Sequence, residues 1–380
     1  MKPTVCLTMI VKNEAHIIER CLDSVSPFID SFFIGDTGST DGTPETIRAW
    51  GEVRGIPGNV ANHTWEDFGT NRTHVFVGAR HVENPADYAL VIDADDVLEF
   101  TNFEAAVGML GKFDMYDFNI KLGNHFFRRP QLFRQSLPWL YKGTMHEHAD
   151  CPVPFTRGPM PGIVYSCIGG GGRKKDPQRE KKEIALLRKQ LKVDPENTRA
   201  TFYLAQTFHD QWKLPAAIYW NEKVLTLRGW TEERFLAAMR LGDMYRARDV
   251  AGDFERAIDR YMRAIGINGR RVEPYEKIAR FIRLREAEGW ASVSYFFAKK
   301  GSEIVPDPSG FLVDVECHEV RIWDELSLAA FYSGQVEEAI VACRKVIHNP
   351  LTPAVTLKRA ITNLGFMGHG RVKQVEENSK

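Results

Sequence analysis

The sequence predicts a Rossmann-like α/β domain with a mostly parallel sheet, followed by an all-α domain of helical repeats. Three observations carry that expectation. Over the first 115 residues, apolar strand-like runs alternate with helically spaced segments, the order that builds a parallel sheet. Four glycines, Gly169 to Gly172, then precede Arg173-Lys174-Lys175-Asp176-Pro177, a composition that makes a flexible linker whose lysines read as linker charges. From about residue 178 the apolar spacing is helical almost throughout, and Ala-Ile dipeptides recur at 217, 257 and 339. A period near 40 marks stacked helical hairpins, somewhat longer than the ~34-residue tetratricopeptide unit. The domains are thus expected at 1–170 and 171–380.

In chain order, Thr4–Val11 is a continuous apolar run, as expected of a parallel strand covered on both faces. Glu14–Val25 carries Ile17, Ile18, Cys21, Leu22 and Val25 at helical spacing. Ser31–Gly35 reads as a second strand, and Asp36-Thr37-Gly38-Ser39-Thr40-Asp41-Gly42-Thr43 as a loop. A helix follows at Pro44–Trp50, since proline suits a first helical turn. Asn59–Thr64 reads as a third strand, Asn71–Val82 as a helix, and Tyr88–Ile92 as a fourth strand that runs into Asp93-Ala94-Asp95-Asp96. This order places a ligand site at the carboxyl ends of the strands, where the acidic loops fall.

Residues 116–168 crowd aromatic and basic side chains, among them Phe126, Arg128, Arg129, Arg134, Trp139 and Tyr141, and read as strands and loops. In the repeats, Leu204-Ala205, Leu241-Gly242 and Leu328-Ala329 align. The small residue of each unit would let helices approach, with Tyr203, Tyr245 and Phe331 filling the holes.

Composition agrees with two soluble globular domains: 380 residues, 43% hydrophobic, 26% charged, no net charge. The charge is uneven. Residues 1–170 hold 14 basic and 21 acidic side chains, and residues 171–380 hold 36 and 29. That split suits a metal-binding domain beside a region with an anionic partner, and solvated helix faces give the same sum. Six cysteines are scattered without a C-x-x-C pair, which argues against zinc. Cys6 and Cys21 read as core thiols, in keeping with a reducing compartment. The N-terminal apolar run is only about eight residues, too short to span a membrane and without a cleavage pattern. A cytoplasmic protein without a membrane span is the expectation.

Two acidic sites carry chemistry. Asp36 ends an apolar strand before a Gly/Ser/Thr-rich loop, where a carboxylate can accept bonds from ribose hydroxyls or a base N–H. An ordinary βα loop capped by Ser39, Thr40 or Asp41 accounts for the same residues. Asp93 and Asp95, two residues apart at the end of a buried strand, need compensation. A hard divalent cation, Mn2+ or Mg2+, supplies it and would also hold the phosphates of a nucleotide diphosphate.

The run Ile10-Val11-Lys12-Asn13-Glu14, then Asp36 to Thr43, then Trp65-Glu66-Asp67-Phe68-Gly69-Thr70-Asn71-Arg72, then Ile92-Asp93-Ala94-Asp95-Asp96 resembles family-2 glycosyltransferases of the GT-A fold over roughly residues 3–165. The helical array is similar to that of tetratricopeptide-bearing members. The resemblance implies a metal-dependent, inverting hexosyl transfer from a nucleotide-sugar donor of the UDP-sugar type. It implies that Asp36 contacts base or ribose, and that Asn13 and Glu14 shape the nucleotide pocket. Arg72 would reach the base edge or diphosphate. Asp93 would bind ribose or metal, Ala94 would lie between them in the donor site, and Asp95 would be the main metal ligand. The Glu-Asp motif that usually supplies the family's base is not cleanly present. Gly143-Thr144-Met145-His146-Glu147-His148 stands nearest, with His146 completing the metal shell or touching the diphosphate and Glu147 as base.

Trp139 and Tyr141 suit either stacking on a sugar or packing on the sheet, and Arg128, Arg129 and Arg134 either diphosphate or solvent. The acceptor implied is macromolecular, a protein, peptide or saccharide held by the repeats. Transfer to a modified DNA base is compatible with the basic half, but no nucleic-acid motif supports it. A non-catalytic repeat scaffold is the rival from another class. A nucleotidyltransferase would need a glycine in Met9–Glu14, which has none.

Overall fold

The computed structural model describes residues 2–123, 125–171, 177–286, 288–305 and 310–377, with side chains through 368. The linker residues 172–176, including Lys174 and Lys175, lie outside the described residues. The chain forms two compact units, Met1–Thr207 and Phe208–Lys380. The first therefore runs past the glycine segment and takes in the first helices.

The first unit is built on β1 (Val5–Val11), β2 (Ser31–Asp36), β3 (Gly58–Asn62), β4 (Tyr88–Val91), β5 (Val97–Phe100), β6 (Met115–Leu122), β7 (His125–Arg134) and β10 (Arg157–Ser166). Their order in the sheet is β3-β2-β1-β4-β7-β6-β10-β5. The first four are mutually parallel, with Val11 opposite Asp36 and Thr8 opposite Val91. β7 then runs antiparallel to β4 and β6. Val5, Leu7, Met9 and Val11 of β1 are all buried, as is Cys6 on the opposite face. Both faces of β1 are covered, and each fully buried aliphatic side chain contributes roughly 1.5–3 kcal/mol.

Helices α1 (Ile18–Val25), α2 (Thr43–Arg54), α3 (Phe68–Arg80) and α4 (Phe103–Met109) connect these strands. α1 starts later than the apolar spacing implies. The N–H groups of Glu14 and Ala15 go instead to Thr43 Oγ1 and Asp41 Oδ2 of the next loop. α2 is preceded by Gly42 in the left-handed region, φ 84°, so none of the three polar candidates is its cap. β5 and α4 carry no clear sequence signal. A small hairpin, β8 (Leu140–Lys142) with β9 (His148–Asp150), precedes β10. α5 (Arg179–Val193) and the start of α6 (Thr198–Asp210) complete the unit.

The second unit is helical: α7 (Leu214–Thr226), α8 (Thr231–Arg248), α9 (Asp253–Ile267), α10 (Glu273–Arg285), α11 (Trp290–Ser302), α12 (Ile322–Tyr332), α13 (Val336–His348) and α14 (Ala354–Glu377). Ala217, Ala257 and Ala339 are completely buried, each in the second helix of a hairpin. Ser294 of α11 is also completely buried and donates to Ala279 O at 2.6 Å. It takes the place of the missing Ala-Ile pair, which explains the doubled gap between 257 and 339. The aromatic reading needs correction. Phe208 and Tyr245, each four residues after its leucine, are buried, whereas Tyr203, one residue before Leu204, is only half-buried. Helical periodicity puts i+4, not i−1, over the small residue's face. Among the described residues no helix is long and apolar enough to cross a membrane.

Candidate functional site

The carboxyl ends of β1, β2 and β4 bring the predicted acidic loops together. Asn13 sits in the left-handed region at φ 58° and clasps the neighbouring loop. Its N–H donates to Ser39 Oγ, and its side-chain oxygen accepts from Thr40 N, both at 2.8 Å. It thereby ties the loop after β1 to the loop after β2. Asp36 is 5% exposed. Its Oδ2 accepts from Gly38 N and Ser39 N at 3.0 Å each, while its buried Oδ1 has no hydrogen-bond partner among the described residues. An unsatisfied buried acceptor costs about 1–3 kcal/mol and calls for an explanation.

The segment before α3 is organised by its own side chains. Asp67 caps the helix by accepting from Thr70 N at 2.9 Å. Asn71, fully buried, donates to Thr64 O and accepts from Glu66 N. Gly69 is there for close approach: a Cβ would lie 2.3 Å from Gly143 O. These contacts aim Arg72 inward. Its Nη2 donates to Asp93 Oδ1 and its Nε to Glu147 Oε1, both at 2.5 Å. Burial works against the Arg72 charge, but Asp93 and Glu147 outweigh it and hold the guanidinium well above its ordinary pKa. The ring of Tyr141 lies 5.8 Å from the guanidinium.

Of the acidic run, Asp95 and Asp96 divide the work. Asp95 Oδ2 accepts from Gly171 N at 3.2 Å, and its carbonyl accepts from Arg20 Nη2. Asp96 is buried, accepting from Tyr165 OH at 2.8 Å and Ile168 N at 3.1 Å. Burial, then the Asp93 charge, push its carboxyl up to about 6. Ala94, which lies between Asp93 and Asp95 in sequence, is 6% exposed.

Glu147 belongs to the loop Gly143–Glu147 joining β8 and β9. It faces Arg72, whereas the neighbouring His146 faces α6, with its ring 3.6 Å from that of Tyr203 and nearly parallel at 6°. The proposed metal set Asp93, Asp95 and His146 is therefore not assembled. Among the described residues no three His, Cys, Asp or Glu side chains converge to hold an ion. The reason is local, since Asp93 is taken up by Arg72 and the His146 imidazole by Tyr203. Two acidic oxygens do converge: Asp95 Oδ2 and Glu14 Oε1 each lie 3.1 Å from where a side chain on Gly171 would start. Such hard oxygen donors fit a divalent cation whose remaining ligands come from phosphate and water.

Other candidates move into the scaffold. Trp139 is fully buried, packed edge-on against Phe133 and Phe155, and its N–H donates to Arg134 O. Arg134 pairs with Asp114 at 2.7 Å. Arg128 is exposed. Arg129 turns inward, 5.0 Å from the centre of the Tyr165 ring, with a buried Nε that has no hydrogen-bond partner among the described residues. Sequence reasoning gave no role to Asp96, Tyr165 or Gly171. Tyr165 comes to the triplet only through the pairing of β10 with β5 and β6.

Residues 6–153 match the family model described as glycosyl transferase family 2. A TPR repeat-containing protein of Synechococcus elongatus is 25% identical over 321 residues, covering 78% of this chain and 72% of that protein. The crystal structure of MamA is 24% identical, with a TM-score of 0.35, over 46% of this chain and 91% of that one. That of YrrB, a TPR protein with an unusual peptide-binding site, is 14% identical, with a TM-score of 0.37, over 49% and 83%. Residues 6–153 of this chain are thus a glycosyl transferase family 2 domain, and tetratricopeptide-like helices follow it.

Proposed function

We propose that the protein transfers a sugar, with inversion, from a nucleotide diphosphate sugar of the UDP-sugar type to a macromolecular acceptor, a protein, peptide or saccharide. The observation that carries this reading is Asp36 Oδ1, a buried carboxylate oxygen at the carboxyl end of β2 without a hydrogen-bond partner among the described residues. It suits a base N–H or a ribose hydroxyl. Asn13 and the Gly38–Ser39 amides fix its direction. Arg129 and Arg72 supply cationic groups for a diphosphate.

Asp95, with Glu14, would hold Mn2+ or Mg2+, which when bound would neutralise charge on the departing diphosphate. Glu147 would take the proton of the acceptor hydroxyl, once its oxygen is free of Arg72. A diphosphate beside Arg72 competes with Glu147 for the same guanidinium, so donor binding would release the base. The test is calorimetry of wild-type protein and Asp36→Asn with UDP and Mn2+. The variant should keep its fold and bind about tenfold to a hundredfold more weakly. Equal affinity would remove Asp36 from the nucleotide site.

A second reading has one observation in its favour: Arg72 occupies both Asp93 and Glu147. A repeat scaffold with a silent catalytic domain would look the same, and the Synechococcus relative is described only by its repeats. Manganese-dependent hydrolysis of a nucleotide sugar by the full chain would exclude it.

A further inference from the structure

We propose that α5 and α6 position the loop that carries Glu147, with Tyr203 and Arg199 as positioning residues for sugar transfer. The inference rests on Glu147 being the base. Gly143–Glu147 is a five-residue connection with two left-handed residues, Gly143 at φ 100° and His146 at φ 52°. For a residue with a side chain that conformation costs about 1–2 kcal/mol, and it persists only where the surroundings impose it.

Contacts on two sides impose it. The His146 ring stacks on Tyr203. The His146 carbonyl accepts from Arg199 Nε at 2.7 Å. Thr144 Oγ1 donates to Gln190 Oε1 at 3.0 Å. On the opposite side, Phe68 N at the start of α3 donates to Thr144 O at 3.2 Å. Arg199 also lies over the Tyr203 ring, 5.2 Å from its centre, so the two helix residues brace each other.

The consequence is directional. Holding His146 toward α6 turns the next residue inward, and Glu147 reaches Arg72. Tyr203 is not the buried repeat aromatic that the alignment suggests; its ring stacks on the loop that carries Glu147. A base displaced by about 1 Å loses on the order of a hundredfold in rate. The two helices thus act on the chemistry through the loop.

The experiment compares the full chain with Tyr203→Ala and Tyr203→Phe by amide hydrogen exchange and by transfer kinetics. Stacking needs the ring and not the hydroxyl. In Tyr203→Ala, amides of 143–147 should exchange at least ~10-fold faster, and kcat should fall about 10- to 100-fold, with the donor KM within about twofold. Tyr203→Phe should restore both. Unchanged loop exchange in Tyr203→Ala, or a Tyr203→Phe as impaired as the alanine variant, overturns the clamp. Loop exchange that responds in a protein transferring no sugar overturns the catalytic role through the transferase reading alone.

Discussion

Arg72 Nε donates to Glu147 Oε1 at 2.5 Å, so the proposed base is held by the same cation that holds Asp93. The Arg72 and Glu147 side chains are 11% and 10% exposed, whereas Asp93 is 41% exposed. The Glu147 arm is the desolvated one, and it dominates the energetics. Arg72→Met should therefore cost about 3–5 kcal/mol in urea unfolding, because it strands a buried carboxylate. Adding Glu147→Gln should recover a good part of that loss. A single variant within about 1 kcal/mol of wild type would show that the pair is not under desolvation stress.

Adjacent carboxylates should respond in opposite ways. The described bond of the Asp95 carboxylate is from Gly171 N, and an asparagine oxygen accepts that equally well. Asp95→Asn should leave the unfolding midpoint nearly unchanged and abolish the Mn2+-dependent thermal stabilisation by UDP. Asp96→Asn puts an NH2 against either Tyr165 OH or Ile168 N. It should cost about 1–3 kcal/mol with or without ligand. Identical behaviour of the two variants would contradict this division.

What the sequence disclosed follows from the range of the forces involved. β1, β2 and β4 are legible because a doubly covered strand is apolar throughout, and their acidic ends because turn chemistry is local. β5 is not: Val97–Phe100 is short, and Glu99 finds its partner, Ser166, 67 residues away. The four residues Asp93 to Asp96 include three acids that look alike in sequence. Tyr165 and Ile168, about seventy residues on, decide which one is buried. Arg134 and Trp139 stay open in the sequence because composition cannot tell a guanidinium facing Asp114, or an indole in the core, from one facing a ligand.

Gly69 offers a test in which two tendencies conflict. It lies in the first turn of α3, where alanine is the better helix former by up to ~1 kcal/mol. A Cβ there would sit 2.3 Å from Gly143 O, a backbone atom of the Glu147 loop. Overpacking against backbone typically costs about 1–3 kcal/mol. Gly69→Ala should therefore lower the melting temperature and displace the loop, visible as faster exchange at 143–147. A rise in melting temperature would mean that the loop yields without strain.

The second unit should lose stability in acid through Glu273. Arg271, 2% exposed, donates to Glu273 Oε1 at 2.5 Å and to Glu232 Oε2 at 2.6 Å. His318 Nε2 lies 3.7 Å from Glu273 Oε2. Burial alone would raise the Glu273 carboxyl, but His318 and Arg271 outweigh it and bring it from 4.5 down to about 2. The folded state thus binds this proton more weakly than the unfolded chain does. The stabilisation is complete above pH 4.5 and disappears as the pH falls toward 2, and it amounts to something on the order of 3 kcal/mol. Glu273→Gln removes the titration and little else in shape. Its deficit against wild type in urea unfolding should be largest at pH 6 and shrink steadily between pH 4.5 and 2. Other acids titrate in both proteins, so the difference isolates Glu273. A deficit that stays constant across that window would place the stabilisation in packing around Arg271 and not in the charge of its partner.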